Sequence, residues 1–291
     1  MRNLLIITQK VDENDDLLGF FVGWLKEFSK KFDKVSVITL ARGEYDLPEN
    51  VFIYSLGKED GVPRCKRFIK FYLYLFRLAP KSSGIFAHMS PIFAVMAWPV
   101  AAIFGKRIVL WYLHRSVTRR LKLAEMLCYK IVTSTAESLN IKSRKIAEVG
   151  HGIDIERFRR PIGPIGPIRP IGPIKILSGG RVSKIKDYET LIKAAKILKE
   201  KGLAFELKIV GRPVMDYDLK YFESLKKLFQ DLKLENEIEF VGFVPYSRIA
   251  DYYKDADIFI NLAPTGGIDK VVLEAMASGL LVLVSNKAFR K

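Results

Sequence analysis

The sequence predicts an α/β protein built from two doubly wound parallel-sheet domains. Three observations carry that reading. Residues 1–150 alternate short β-branched runs with amphipathic stretches. Residues 174–285 do the same, more cleanly. Between them, residues 161–174 read PIGPIGPIRPIGPI, with a proline at every third position. Each proline removes a backbone donor, so neither a helix nor a sheet interior can form there. Strand–helix alternation of this kind feeds a parallel sheet covered by helices on both faces.

In the first half, strands are expected at 3–8, 35–40, 51–56, 84–87, 107–112, 131–134 and 145–149, each an apolar run bounded by polar, Gly or Pro residues. Amphipathic helices are expected at 18–32, 64–80 and 116–129. Residues 85–104 carry no formal charge over a stretch of membrane-span length. His88, Ser90, Pro91 and Pro99 interrupt it, and Pro91 divides a strand from a helix. The stretch is therefore read as a buried strand followed by a buried helix, with a membrane span as the rival.

The domain limits follow: 1–150, an interdomain linker over 151–174, and 175–291. The proline repeat is read as polyproline-II-like, spanning about 40 Å when extended. In the second half, strands are expected at 174–178, 205–210, 237–241, 258–262 and 281–285. Helices are expected at 187–201, 217–233, 246–255 and 270–278, with Gly202 and Gly279 where helix C-caps belong. Two such domains are expected to face each other across a ligand cleft at the C-terminal edges of their sheets.

Composition limits the function classes. The 291 residues include 48 Lys and Arg, 32 Asp and Glu, three His and two Cys, for a net charge of +16. Almost half are hydrophobic, which excludes disorder as the main state. Cys65 and Cys128 form neither a Cys-x-x-Cys pair nor a His/Cys cluster, which speaks against zinc, iron–sulfur and secreted disulfide scaffolds. A reduced cytoplasmic setting fits. Residues 1–10 hold only a four-residue apolar run, too short for a secretory leader.

The positive charge is uneven, net +10 over 1–150 and +6 over 151–291. One dense zone, Arg64 to Lys81, interleaves basic residues with Phe68, Phe71, Tyr72, Tyr74 and Phe76. Another runs through Arg115, Arg119, Arg120 and Lys122. A basic, aromatic helix suits an anionic membrane surface, which makes 64–80 a candidate peripheral contact. The other reading is a solvated basic face over an aromatic core face. No nucleic-acid-binding fold signature accompanies the charge, so nucleic acid is not expected as a partner.

The common phosphate-loop, dinucleotide and nucleophile-elbow signatures are absent. What remains lies at strand–helix junctions. In SGGRVSKIKD (178–187), Arg181 and Lys186 follow a strand and a glycine turn, and two cations near a helix start suit a diphosphate. In TGGIDKVVLEAMASG (265–279), Gly266 and Gly267 let backbone N–H groups approach a ligand, at the start of a helix. Glu274, one turn into that helix, could accept both hydroxyls of a ribose. His114 follows the strand 107–112, where it could act on a phosphate or a hydroxyl, or be a satisfied structural histidine. His88 and His151 are read more readily as structural. Gly19 either brings backbone near a ligand or relieves crowding.

These runs, with KIVG (208–211), IEFVGFVP (238–245), ADIFINLAP (256–264), DKVVLEAMASGLLVLVS (269–285) and VGHGIDIERF (149–158), resemble the retaining glycosyltransferases of the GT-B fold, family 4 or group 1. The resemblance is strong over 176–285 and weaker over 1–150. It implies two Rossmann-like domains, a nucleotide-sugar donor held by the C-terminal one, and a glycan or lipid-linked acceptor held by the N-terminal one. Arg181 and Lys186 match the donor-diphosphate cations, and Glu274 the ribose carboxylate. His114 matches the histidine near the reacting sugar, Gly19 the first glycine loop, and 266–271, with Gly267 and Lys270, the loop whose amides meet phosphate and sugar. No cofactor beyond the donor is implied, and no metal is required.

Three departures accompany the resemblance. The first of the family's paired glutamates falls on Gly266, and Asp269 is the nearest substitute as a catalytic carboxylate, with Thr265 and Lys270 beside it. The first glycine loop is thin, with Gly19 followed by Phe20 and Phe21. Family members continue beyond the position of Lys291 with a further strand and helix, so a C-terminal truncation is expected. A catalytically silent nucleotide-sugar-binding relative is the alternative function. The expected position is cytoplasmic, peripheral on the cytoplasmic membrane face.

Overall fold

The computed structural model describes residues 2–160, 172–264 and 267–289. The chain divides into two compact units, Met1–His151 and Gly152–Lys291. The first runs β1 (Asn3–Val11), α1 (Phe20–Ser29), β2 (Lys34–Arg42), β3 (Val51–Ser55), α2 (Arg64–Leu78), β4 (Gly84–His88), α3 (Pro91–Ile103), β5 (Ile108–Trp111), α4 (Arg119–Leu127), β6 (Lys130–Thr133) and β7 (Ile146–Glu148). Its seven strands lie in the order β3-β2-β1-β4-β5-β6-β7. Every pairing in that sheet is parallel. β1 and β4 sit at its centre, which is why Leu5, Ile6 and Ile7 are all buried, whichever face they point to.

The uncharged stretch 85–104 is resolved by its prolines. β4 ends at His88, Met89 takes a positive φ of 61°, and Pro91 opens α3 at the helix start, where a missing N–H costs nothing. Among the described residues no helix is long and apolar enough to cross a membrane.

The second unit runs α5 (Ile155–Phe158), β8 (Ile174–Gly179), α6 (Tyr188–Glu200), β9 (Phe205–Val210), α7 (Asp216–Asp231), β10 (Ile238–Gly242), α8 (Ile249–Asp255), β11 (Ile258–Asn261), α9 (Lys270–Ala277) and β12 (Leu281–Val284). Its parallel sheet has the order β10-β9-β8-β11-β12. Both expected glycine caps form. Gly202 and Gly279 have φ of 71°, and the next residue in each case donates back across the last turn, Leu203 to Leu198 and Leu280 to Ala275.

The expected linker needs one correction. Residues 152–160 belong to the second unit. Asp154 caps α5 by accepting from the Arg157 N–H at 3.2 Å. Phe158 is fully buried, with its ring 5.4 Å from that of Tyr253. Most of the proline repeat, 161–171, lies outside the described residues.

Candidate functional site

The second sheet ends in glycines. β8, β9 and β10 run into Gly180, Gly211 and Gly242, all with positive φ. Gly211 has φ of 136°, and its N–H donates to the Gly242 carbonyl at 2.8 Å. A Cβ on Gly211 would stand 2.0 Å from the Gly180 oxygen, so only glycine lets these two loops run side by side. A Cβ on Gly180 would meet the Lys186 side chain at 3.2 Å. Gly180, with Gly211 packed against its carbonyl, therefore makes the floor over which Lys186 lies.

Lys186 follows β8 in a short turn that ends at Asp187. Asp187 caps α6 from a left-handed conformation, φ 51°. The Lys186 Nζ reaches the Asp269 Oδ2 at 2.6 Å, and the Asn261 side-chain amide donates to the same oxygen at 3.0 Å. Asp269 immediately precedes α9, and Asn261 ends β11. Three chain segments thus meet at one carboxylate. Arg181, on the same post-β8 loop, pairs instead with Asp218 of α7, Nε to Oδ2 at 3.6 Å. Asp218 is almost wholly buried beneath it. The two cations expected to hold a diphosphate each have a carboxylate of their own.

Glu274 sits in a second network one turn into α9 and is 3% exposed. Its Oε1 lies 3.1 Å from the Lys270 Nζ, and its Oε2 accepts from the Tyr253 hydroxyl at 3.0 Å. The ammonium of Lys270 also lies over the Tyr246 ring, 3.9 Å from its centre. Burial lowers the Lys270 pKa to about 8, against the pull of Glu274. Burial and the Glu274 carboxylate push both the Tyr246 and Tyr253 phenols up. Glu274 therefore presents no bare carboxylate. Each oxygen already has at least one partner, and the carboxylate's four acceptor sites leave room for a hydroxyl.

The Asn286 amide donates to the Gly267 carbonyl at 3.0 Å, tying the segment after β12 to the loop before α9. Thr265 and Gly266 lie outside the described residues.

In the first unit, His114 stands on the exposed loop past the C-terminal end of β5. Its Nδ1 accepts from the Ser116 N–H at 3.1 Å and lies 2.5 Å from the Ser116 hydroxyl, which fixes the ring through that nitrogen. Gly19 is buried at the start of α1 with helical φ, and a Cβ there would stand 2.8 Å from the carbonyls of both Glu13 and Asp15. Crowding within its own loop accounts for that glycine. His88 is buried, bonded to the Thr8 hydroxyl at 3.0 Å, and stacked on Phe21 at 3.8 Å. Burial, with the nearby His151, lowers its pKa to about 3. His151 packs its ring against those of Trp24 and Trp111.

The sequence reading brought out Arg181, Lys186, Asp269, Lys270 and Glu274 and missed their partners. Asn261, Tyr246 and Tyr253 carry no local signal beyond lying at a strand end or in an amphipathic helix. Gly211 could have been found, since a glycine directly after a strand is a position for a close backbone approach.

Residues 168–290 match the family described as glycosyl transferases group 1. The amylovoran biosynthesis glycosyltransferase AmsK of Erwinia amylovora is 35% identical over 154 residues, 51% of this chain and 35% of that protein. The alpha-monoglucosyldiacylglycerol synthase of Streptococcus pneumoniae is 30% identical over 115 residues, 39% of this chain and 24% of its own length. The matched stretch thus spans about a third or less of these relatives. Among solved structures, HepE of Anabaena in complex with UDP and glucose superposes with a TM-score of 0.74 at 17% identity, over 98% of this chain and 80% of that one. Sucrose-phosphate synthase of Thermosynechococcus elongatus gives 0.71 at 17% identity, over 98% and 81%. Both units have the parallel-sheet architecture that the GT-B expectation requires. The match to the group 1 glycosyl transferases thus covers most of the second unit, and the parallel-sheet fold of both units is the one seen in these solved structures.

Proposed function

We propose that the protein transfers a sugar, with retention of anomeric configuration, from a nucleotide-sugar donor to a glycan or lipid-linked acceptor. The observation that carries the reading is the contact of Lys186 with the start of α9, with Arg181 on the same loop after β8, at the C-terminal ends of the second sheet's strands, in a unit that matches the group 1 family over residues 168–290. The UDP and glucose of the HepE complex support a nucleotide-sugar donor. The names of AmsK and of the diacylglycerol-glucoside synthase support glycan and lipid acceptors. A peripheral place on the cytoplasmic membrane face suits the lipid-linked case.

In this mechanism the acceptor hydroxyl adds to the anomeric carbon as the bond from that carbon to the phosphate oxygen breaks. The hydroxyl proton and the bonding pair leave with the nucleoside diphosphate. Arg181 and Lys186, with the N–H groups that open α9, offset the charge that develops there, without a metal. Glu274 accepts from the ribose hydroxyls. His114, from the first unit, serves the reacting sugar, and Asp269 holds Lys186 in place before the donor arrives.

The test is thermal denaturation of the chain with UDP-, GDP- and ADP-sugars, beside Lys186→Met. A donor at about 100 times its dissociation constant adds roughly 2.7 kcal/mol of stability. One nucleotide class is expected to raise the melting temperature of the wild type and not of Lys186→Met. Release of free nucleoside diphosphate with an acceptor extract then reports turnover. No shift with any donor, from a cooperatively melting chain, overturns the reading.

A further inference from the structure

The outer face of α2 is the part of the first unit that neither its core nor the proposed chemistry explains. Between Gly61 and Ala136 the sequence has thirteen Lys and Arg residues and one acidic residue, Glu125. The side chains of α2 divide sharply. Phe71, Leu75 and Leu78 are buried in the core. Phe68, Ile69, Leu73 and Phe76 are 53, 59, 63 and 47% exposed. Their spacing puts them in one stripe along the outward side of the helix. Ordinary amphipathicity asks for polar residues there, so α2 has an apolar stripe on each side. Arg64, Lys66 and Arg77 are exposed beside the outer one.

The same mixture continues onto α3. Phe76 touches Phe104, ring centres 6.2 Å apart, and Ile103 beside it is 66% exposed. Lys106 and Arg107 follow directly in sequence. The reading of 64–80 as a solvated basic face over an aromatic core face therefore describes only half of the helix.

We propose that α2 and the adjoining end of α3 dock the first unit on an anionic lipid bilayer. The outer stripe enters the boundary between headgroups and acyl chains, and the flanking Lys and Arg meet lipid phosphates. This deepens the proposed function and rests on it for its purpose, since a lipid-linked acceptor is found at such a surface. Charge chooses this occupant over the others. A second copy would bring two strongly basic faces together. A nucleic-acid backbone would satisfy the basic residues but leave Ile69 and Leu73 in water.

The test is flotation of the purified full chain with phosphatidylcholine vesicles, with and without phosphatidylglycerol, at low and high salt. The wild type is expected to float with the anionic vesicles only, and to lose part of that binding in high salt. Ile69→Ser with Leu73→Ser should weaken binding at low salt by about tenfold or more, since each loses the transfer of a large apolar side chain. Arg64→Gln, Lys66→Gln and Arg77→Gln together should abolish the preference for phosphatidylglycerol. Both variants alter exposed side chains, so their melting temperature and nucleotide binding are expected to match the wild type, and this control shows that they fold. The proposal falls if the wild type ignores anionic vesicles, if the double serine variant floats as well as the wild type, or if the stripe instead mediates a dimer that the serines dissolve. Nucleotide binding without vesicle binding removes this surface and leaves the glycosyltransferase reading intact. Vesicle binding without nucleotide binding does the reverse.

Discussion

The Lys186 ammonium lies 2.6 Å from the Asp269 carboxylate, whose same oxygen is held by Asn261. A diphosphate that takes Lys186 must share it with that carboxylate or displace it. The pair is partly exposed, so the coupling is worth about 1 kcal/mol. Asp269→Asn is therefore expected to bind UDP, or whichever nucleotide the donor carries, severalfold more tightly than the wild type. Lys186→Met removes a charge-assisted bond worth about 1.5–3 kcal/mol and should weaken binding by tenfold or more. Isothermal titration of both variants separates two roles for Asp269. Weaker binding in Asp269→Asn would mean that this carboxylate holds the donor directly.

Glu274 is as much a structural group as a ligand group. Truncation to alanine leaves the Lys270 cation buried without its counter-ion and the Tyr253 hydroxyl without an acceptor. Breaking a buried pair from one side costs about 3–5 kcal/mol. Glu274→Ala should lower the urea midpoint accordingly. Glu274→Gln combined with Lys270→Met, which removes both charges, should recover most of that loss. A loss of nucleotide binding in Glu274→Ala alone is then no evidence for ribose contact, whereas a loss in the stable double variant that Lys270→Met alone does not share is.

The sheets were the legible part of this protein. All twelve strands of the described residues lie where apolar runs mark them, because strands buried on both faces leave long β-branched stretches that few other structures produce. The site was legible as residues and not as pairs. Arg181 and Lys186 stand out after SGG, but nothing in the sequence says that Asp218, 37 positions after Arg181, is folded under it. Tyr253 reaches Glu274 from the buried face of α8, where it reads as an ordinary core aromatic. Residues 152–160 read as linker because the proline repeat dominates their neighbourhood. The capping aspartate of IDIERF was the signal for α5.

Lys270 gives the second unit a pH dependence of unusual sign. Its pKa is about 8 in the fold and near 10.5 when unfolded. Between those values the unfolded chain holds more protons than the folded one, so stability rises with pH across that window. The slope approaches about 1.4 kcal/mol per pH unit if this group acts alone. Urea unfolding of the second-unit transition just below pH 8 and again near pH 10 should show the rise, and Lys270→Met should remove it. Because the raised Tyr246 and Tyr253 phenols act in the opposite sense near pH 10, the comparison that decides is with the variant: equal pH dependence in the wild type and Lys270→Met would show that Lys270 stays charged against Glu274 throughout.

Gly211 tests the floor of the site. Its φ of 136° and the 2.0 Å separation between its would-be Cβ and the Gly180 oxygen impose two independent costs on Gly211→Ala. Gly202 imposes only one, a left-handed φ with open space around it. Gly202→Ala should cost about 1 kcal/mol. Gly211→Ala should cost more, about 1–3 kcal/mol for backbone strain plus the overlap. Gly23→Ala, in mid-α1 with nothing within 4 Å, should gain about 0.5–1 kcal/mol and confirms that the assay resolves effects of this size. The Gly180 carbonyl can yield only by moving the loop on which Arg181 and Lys186 stand, so nucleotide binding in Gly211→Ala should fall even where the chain is fully folded. Equal costs at Gly202 and Gly211, with binding intact, would mean that the two loops part freely and that the cations are positioned by their carboxylates alone.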